Sequence, residues 1–242
     1  MHEAAASWET IDSGGSPMRL YVARPKSEAR VPCIIVQQEA FGVNDYMQDV
    51  THRFAALGYL AIAPELYHRT APGFIGDYND LGTAMPHMKA LTNPLIEEDM
   101  RASFAWLQQD AQADTDRTAS VGFCLGGKVS FIANAVLKLR AAVSYYGSSI
   151  PSLLDDYAAR QQAPLLLVWG GQDKHITPEE RTRATDRLRA EGKRFINTEF
   201  SQAQHGFFCD ARPNAYDPDA ARESWALLTA YLQDKFSSGT NP

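Results

Sequence analysis

The feature that most constrains this chain is residues 122–126, G-F-C-L-G, where an apolar run of strand character passes directly into a helical pattern. Such a turn strains the residue at its apex, and a glycine two positions to either side removes Cβ atoms that would collide. Cys124 would then stand at a helix N-terminus, where unpaired N–H groups and the helix dipole favour a thiolate. A buried structural cysteine beside a glycine turn is the alternative. A predicted strand, two glycines and a predicted helix occur here in the order that a nucleophile elbow requires, so the pattern favours this turn. The N–H of Leu125 would then face a developing oxyanion.

Length and composition indicate one globular domain over residues 1–242, because 45% hydrophobic content suffices for a sizeable core. The formal net charge of −6, without a basic run, argues against a nucleic-acid or membrane partner. Three scattered cysteines, with no leader and no membrane-spanning run, indicate a cytoplasmic protein. No metal-ligand spacing, phosphate loop or dinucleotide fingerprint occurs, so neither a metal nor a cofactor is expected. A monomer and a small homo-oligomer remain equally compatible with the sequence.

Strand and helix patterns alternate along the chain. Strands are predicted at residues 7–11, 18–23, 31–37, 59–63, in the run before Cys124, and at 141–146, 164–169 and 195–200. Six helices are predicted: at residues 46–57, at 95–109, directly after Cys124, near 151–160, from 178 to about 190, and at 219–236. Asp45 is the predicted cap of the first helix, and Thr177 is the predicted cap of the fifth. The first two strands would be antiparallel. The alternation predicts an α/β fold with a doubly wound, mostly parallel sheet and helices on both faces.

Residues 64–94 break this alternation, since they have no clean period and contain several Gly and Pro interruptions among many aromatic residues. Loops of this length are usually functional or disordered. The aromatic content argues against disorder, so we expect a lid-like insertion that forms a pocket wall after a strand's carboxyl end.

Three candidate reactive residues follow predicted strands in the order Cys124, Asp173, His205. Nucleophile, acid and histidine occur in this order in α/β-hydrolases. Reactive groups of a parallel sheet gather at the carboxyl ends of its strands, so these distant residues can meet. His205 would take the thiol proton and later protonate the leaving group, while Asp173 would hold the imidazole tautomer. His175 is too close to Asp173 in sequence to be its partner easily.

The sequence resembles the dienelactone hydrolase family over nearly its whole length. The matching stretches are Q-Q-E-A-F-G (37–42), P-E-L-Y (64–67), G-F-C-L-G-G (122–127), Y-Y-G (145–147), G-G-Q-D (170–173) and Q-H-G-F (204–207). The resemblance implies a thiol-dependent hydrolase of small carboxylic esters or lactones, acting through an acyl-cysteine formed by a Cys124–His205–Asp173 triad. It further implies an oxyanion hole from the N–H groups of Leu125 and Ala40. In the family a carboxylate at the position of Glu39 contacts the resting thiol and is displaced when substrate arrives.

The sequence departs from this family at the groups that hold a substrate carboxylate. The type enzymes use two arginines, one in the lid region and one four residues after the histidine. Here the second position is Cys209, no arginine lies between Arg69 and Arg101, and Arg212 would have to act by another route. A pocket without a clear clamp suits a less charged or bulkier ester. Four aromatic residues are candidates for its lining, although each is also compatible with the core: Phe41, Tyr67, Tyr146 and Phe207.

Two other functions are compatible with the sequence. A hydrolase fold can be retained as a non-catalytic ligand-binding or sensing domain. A redox-active thiol protein would need a second, resolving cysteine. Cys33 lies in a predicted buried strand and is poorly placed for this, whereas Cys209 is only four residues from His205. The intact triad favours the hydrolase.

Overall fold

The structure is a computed structural model that describes residues 5–237. Its strands form one eight-stranded sheet in the order β1-β2-β4-β3-β5-β6-β7-β8. In chain order these are β1 (Ala5–Ser13), β2 (Ser16–Arg24), β3 (Val31–Gln37), β4 (Leu60–Pro64), β5 (Ala113–Phe123), β6 (Ala141–Tyr145), β7 (Leu165–Gly170) and β8 (Phe195–Phe200). The strands β3 to β8 are parallel, and β2 is antiparallel to β1 and β4. The predicted mostly parallel sheet with an antiparallel opening is confirmed.

Seven α-helices occur in the described part of the chain, with two 3-10 helices at Leu81–Thr83 and Ile150–Leu153. The α-helices are α1 (Asp45–Ala56), α2 (Met85–Ala90), α3 (Asn93–Gln109), α4 (Leu125–Val136), α5 (Leu154–Tyr157), α6 (Pro178–Ala190) and α7 (Pro218–Ser237). The predicted Thr177 cap is confirmed, because its side chain and that of Glu180 form a reciprocal capping box. The predicted Asp45 cap is wrong, since the side chain of the preceding Asn44 accepts from the Met47 N–H. Between residues 5 and 237, no helix has the length and apolar character needed to cross a membrane.

Helices cover both faces of the sheet, as two consecutive residues of β6 show. The Tyr145 hydroxyl donates to the Ser224 carbonyl of α7, whereas the Ser144 hydroxyl lies against Gly127 of α4. Successive strand residues point to opposite faces, so α4 and α7 lie on opposite sides. The helix α1 packs on the α7 side through Phe54 and Trp225, whose ring centroids are 5.0 Å apart. All residues of β6 and β7 are buried, as expected for central strands covered on both faces.

The carboxyl ends of the central strands lie at one edge of the sheet. Gln37 at the end of β3 pairs with Gly122 of β5, and Phe123 pairs with Tyr145 at the end of β6. Gly170 at the end of β7 pairs with Phe200 at the end of β8. The loops that follow these strands therefore start at the same edge, where a site built from distant residues can form.

The segment after β4 is more regular than its sequence suggested. The 3-10 helix Leu81–Thr83 and the helix α2 lie inside residues 64–94, where no regular element was expected. The segment folds against the loop after β3, since the Gly76 N–H donates to the Phe41 carbonyl at 3.0 Å and the rings of Phe41 and Tyr78 are 4.7 Å apart. Long-range aromatic contacts of this kind leave no periodic signal in a short segment, which explains why the pattern missed these helices.

Candidate functional site

Cys124 occupies the apex of the turn between β5 and α4, with φ 55° and ψ −117°. A Cβ on Gly122 would collide with the Gly126 carbonyl, as expected for a glycine facing across the turn. The reason for Gly126 differs from the expected one, because its Cβ would meet the carbonyl of Gln37 at the end of β3. The second glycine therefore lets the start of α4 approach the neighbouring strand. The fold holds the cysteine in a left-handed conformation that is costly for a non-glycine residue.

Asp173, in the loop after β7, orients His205, in the loop after β8. The Nδ1 of His205 lies 2.8 Å from Oδ2 of Asp173. The other carboxylate oxygen, Oδ1, accepts from the N–H groups of His175 at 2.7 Å and Ile176 at 3.2 Å. Burial raises the pKa of Asp173, but His205 and these two N–H groups outweigh it and lower the pKa below its usual value. The carboxylate is thus held in its charged form against the imidazole.

His205 also interacts electrostatically with the side chain of Cys124. Burial by itself lowers the pKa of His205, yet Cys124 and Asp173 together raise it to about 10. An imidazole with that pKa is protonated at neutral pH, the form that pairs with a thiolate. The three residues that sequence order singled out, from the loops after β5, β7 and β8, are brought together in space.

The loop that follows β3 packs against the start of α4. The two residues expected to form an oxyanion hole, Ala40 and Leu125, belong to these two segments. Besides Gln37, the carbonyl of Gln38 would also obstruct a Cβ on Gly126. Leu125 is the first residue of α4, so its N–H has no acceptor within the helix. The Ala40 carbonyl accepts from the Tyr67 hydroxyl at 3.1 Å. Tyr67, expected to line a pocket, instead holds the peptide that carries Ala40.

Glu39 is 1% exposed, and neither of its carboxylate oxygens has a hydrogen-bond partner among the described residues. In this structure the Glu39 carboxylate therefore makes no hydrogen bond to the Cys124 thiol. Burial raises the pKa of Glu39, while the charges of Arg212 and His205 oppose that rise. Cys209 and Tyr146 are its other close polar neighbours. Cys209, the residue in place of a family arginine, is fully buried, and burial raises its pKa to about 12.

A cavity of about 390 Å³ opens beside His205. Its lining is mainly polar and includes, besides His205, three other basic side chains and one acidic side chain: Lys174, His175, Arg212 and Asp77. None of the four aromatic residues expected to line a pocket lines this cavity. Phe41, Tyr67, Tyr146 and Phe207 are all at least 96% buried, and the Tyr146 ring packs 5.0 Å from the His205 ring. Within residues 5–237, no group of three or more His, Cys, Asp or Glu side chains is arranged to hold a metal ion.

The two arginines that sequence considered for substrate binding have different surroundings. Arg69 forms ion pairs with Glu98 at 2.6 Å and with the buried Asp99 at 2.8 Å. The Arg212 guanidinium lines the cavity and lies 5.8 Å from the ring centroid of Phe41. It also lies against Gly206, next to His205. Arg212 makes no ion pair with any residue that the structure describes, although its charge acts on the buried Glu39 carboxyl.

A mostly parallel sheet, a strained residue between β5 and α4, and an aspartate–histidine pair after β7 and β8 define the α/β-hydrolase class. The sequence model of the dienelactone hydrolase family matches residues 18–236. The chain belongs to the dienelactone hydrolase family, as the resemblance predicted.

Comparison with individual proteins agrees with this assignment. A Synechocystis sp. protein named "Putative carboxymethylenebutenolidase" is 33% identical over 93% of this chain and 94% of its own. An Escherichia coli K12 protein of the same name is 34% identical over 94% of this chain and 86% of its own. The crystal structure of a "Putative Dienelactone Hydrolase" from Klebsiella pneumoniae superposes with a TM-score of 0.86 at 30% identity, covering 96% of this chain and 99% of that one.

Proposed function

We propose that the protein is a thiol-dependent hydrolase of carboxylic esters or lactones, with Cys124 as nucleophile, His205 as proton carrier and Asp173 as the residue that orients the histidine. The observation that carries the proposal is the position of His205, which hydrogen-bonds Asp173 and interacts with Cys124. A nucleophile, a proton carrier and an orienting acid within mutual reach are the requirement for covalent acyl transfer.

In the proposed reaction the Cys124 thiolate attacks the acyl carbon, and the carbonyl electron pair moves onto the oxygen. The N–H groups of Leu125 and Ala40 would stabilise that oxyanion. When the tetrahedral intermediate collapses, the bond to the leaving oxygen breaks and protonated His205 supplies the proton. A lactone would open in this step without losing an atom. The product is an acyl-cysteine.

Hydrolysis of the acyl-cysteine would use the same histidine as a base. Acylation removes the thiolate charge, which is one of the causes that raise the pKa of His205. The imidazole then holds its proton less tightly and can accept one from water, which attacks the acyl carbon. The thiolate leaves, and its return restores the resting ion pair. Asp173 keeps the imidazole oriented in both half-reactions.

The charge of the cavity supports a substrate that carries an acidic group. The absence of arginines at the family positions led us to expect a neutral ester, but Arg212 reaches the cavity beside His205 from a different position. Lys174 and His175 line the same cavity, and Arg69 is engaged in ion pairs elsewhere. Because a guanidinium pairs well with a carboxylate, we propose that the free acid of a lactone is preferred over its methyl ester.

Acyl trapping tests the chemistry. The purified protein is mixed with an activated ester, and we expect a burst of alcohol equal to the enzyme concentration, together with an acyl mass increment on the Cys124 peptide. Cys124→Ala should abolish both. Full turnover by Cys124→Ala would refute the thiol mechanism, and binding without any alcohol release would indicate a non-catalytic domain.

A matched pair of lactones, free acid and methyl ester, tests the substrate charge. Loss of one charge-assisted contact costs about 1.5–3 kcal/mol. Arg212→Gln should therefore reduce the ratio of kcat/KM values, acid over ester, by about 10- to 160-fold. Arg183→Gln is the control, since it removes the same charge from an exposed position of α6 outside the cavity. An unchanged ratio in the Arg212 variant would refute the assignment of the acidic group to this arginine.

A further inference from the structure

The structure places a serine hydroxyl against the candidate nucleophile. The Ser148 Oγ lies 3.8 Å from the Cys124 Sγ, within reach of a hydrogen bond to sulfur. Ser148 belongs to the short connection (residues 146–149) between β6 and the 3-10 helix Ile150–Leu153. The sequence patterns gave this serine no role. A hydroxyl in contact with the reacting atom can affect that atom's charge state, so its placement requires an explanation.

Main-chain hydrogen bonds also hold Ser148 close to Cys124. The N–H of Ser148 donates to the Cys124 carbonyl at 3.2 Å, and the N–H of Cys124 donates to the Tyr145 carbonyl at 3.1 Å. The connection after β6 and the turn after β5 are therefore joined by main-chain hydrogen bonds on both sides of the nucleophile. This arrangement fixes the serine relative to the sulfur without depending on the serine side chain.

The connection adopts a costly conformation to reach this position. Tyr146 has φ 36° and Ser149 has φ 62°, so the residues two before and one after Ser148 are both near or in the left-handed region without being glycine. Such residues are energetically costly and persist only where the surroundings over-determine them. Here the Tyr146 N–H donates to the Val168 carbonyl at 2.7 Å, and the Ser152 hydroxyl donates to the Ser149 carbonyl at 2.7 Å.

Close packing between two glycines brings the connection onto α4. A Cβ on Gly127 would collide with the backbone of Gly147, and a Cβ on Gly147 would collide with the Ser144 hydroxyl. Side chains at either position would therefore push the connection away from the first turn of α4. The two glycines, the strained residues and the main-chain hydrogen bonds all act to bring the Ser148 hydroxyl to the sulfur.

We propose that the Ser148 hydroxyl donates a hydrogen bond to the Cys124 thiolate and stabilises it in the resting protein. A thiolate has no proton to donate, so in this pair the hydroxyl must be the donor. Hydrogen bonding to the charged form of a group favours that form. The inference builds on the proposed role of Cys124, and it concerns the ionisation of the thiol rather than the hydrolytic steps.

The other groups that interact with Cys124 do not duplicate the role proposed for the Ser148 hydroxyl. His205 supplies the positive charge. Tyr67 and Tyr146 lie near enough for the cysteine to affect them, but burial raises the pKa of each well above its usual value, so both stay neutral. The Tyr67 hydroxyl is already used on the Ala40 carbonyl. Ser148 is the neutral hydroxyl that lies within hydrogen-bond distance of the sulfur, so its removal takes away a donor without altering the charge of the site.

The test measures how fast Cys124 reacts with a small aromatic disulfide that releases a chromophore, from pH 4 to pH 10. Loss of a hydrogen bond to a charged group should raise the midpoint of the Ser148→Ala profile by about one pH unit. Below the midpoint the thiolate fraction then falls about tenfold, but a more basic thiolate is about threefold more reactive. We therefore expect a rate about threefold below wild type at low pH and about threefold above it on the alkaline plateau.

Three further variants make this result specific. Ser148→Thr keeps a hydroxyl and should retain the wild-type midpoint. Ser27→Ala removes an exposed hydroxyl from the loop that precedes β3, at the amino end of that strand, and should also leave the midpoint unchanged. Cys124→Ala gives the background from Cys33 and Cys209, which are both buried.

The proposal would be overturned by a Ser148→Ala profile with an unshifted midpoint, or by one in which the reaction rate falls by the same factor at every pH. Because the readout is thiol reactivity, it is independent of hydrolysis. An unshifted midpoint in an active hydrolase refutes the Ser148 inference alone, and a shifted midpoint in a protein that hydrolyses no ester refutes the proposed function alone.

Discussion

Replacement of Glu39 by glutamine should stabilise the protein at neutral and alkaline pH. Glu39 is 1% exposed, and both of its oxygens lack hydrogen-bond partners among the residues the structure describes. Burial raises the pKa of this carboxyl, and Arg212 and His205 offset only part of that rise. A group that must lose its hydration on folding without gaining partners costs about 1–3 kcal/mol. Glutamine has nearly the same shape but carries no charge.

The sign of the pH dependence follows from the direction of the shift. The pKa of Glu39 is higher in the folded protein than in the unfolded chain, so folding is unaffected by this group below its unfolded pKa. Stability is lost as pH rises through the folded pKa, because the unfolded chain then ionises more easily. The wild type and Glu39→Gln should therefore unfold at similar temperatures near pH 4 and diverge toward pH 8.

Thermal unfolding at pH 4 and pH 8 measures this difference. A gain of about 1–3 kcal/mol at pH 8 corresponds to a Tm increase of about 2–12 °C for a domain of this size. Glu65→Gln is the matched control, because Glu65 is equally inaccessible but is paired with Arg19 at 2.7 Å and accepts from the Gly73 N–H at 2.6 Å. The Glu65→Gln variant should be less stable than the wild type at pH 8. A Glu39→Gln variant that is no more stable than wild type at pH 8, or equally stabilised at both pH values, would refute the reasoning.

Two further predictions concern activity. Tyr67→Phe removes the 3.1 Å hydrogen bond to the Ala40 carbonyl. The oxyanion hole should then be held less rigidly, and kcat should fall by about three- to tenfold. An unchanged kcat in a steady-state assay would show that this bond does not position Ala40. Because the pKa of His205 is raised to about 10, its protonated form should persist through pH 9 and kcat/KM should decline only near pH 10. An alkaline limb near pH 6.5 in a pH–rate profile would contradict the ion pair.

Local sequence patterns predicted the sheet and the strained turn at Cys124, and they selected the three candidate reactive residues. Gly122 is required by steric overlap with the Gly126 carbonyl within the five-residue turn, and the Thr177 capping box acts over four residues. Buried apolar runs specify central strands wherever they occur, because such strands are covered on both faces. The parallel sheet then brings the ends of β5, β7 and β8 together, so chain order alone predicted that Cys124, Asp173 and His205 would meet.

Only the tertiary structure determined what surrounds those three residues. The sequence gives no sign that Arg69 is engaged by Glu98 and Asp99 while Arg212 lies in the cavity beside His205. It equally gives no sign that the Ser148 hydroxyl lies 3.8 Å from the Cys124 sulfur. These contacts join residues that are 24 or more positions apart, or that belong to segments with no periodic pattern. Their geometry depends on how whole elements pack, and packing between distant elements is a property of the folded chain rather than of any local stretch.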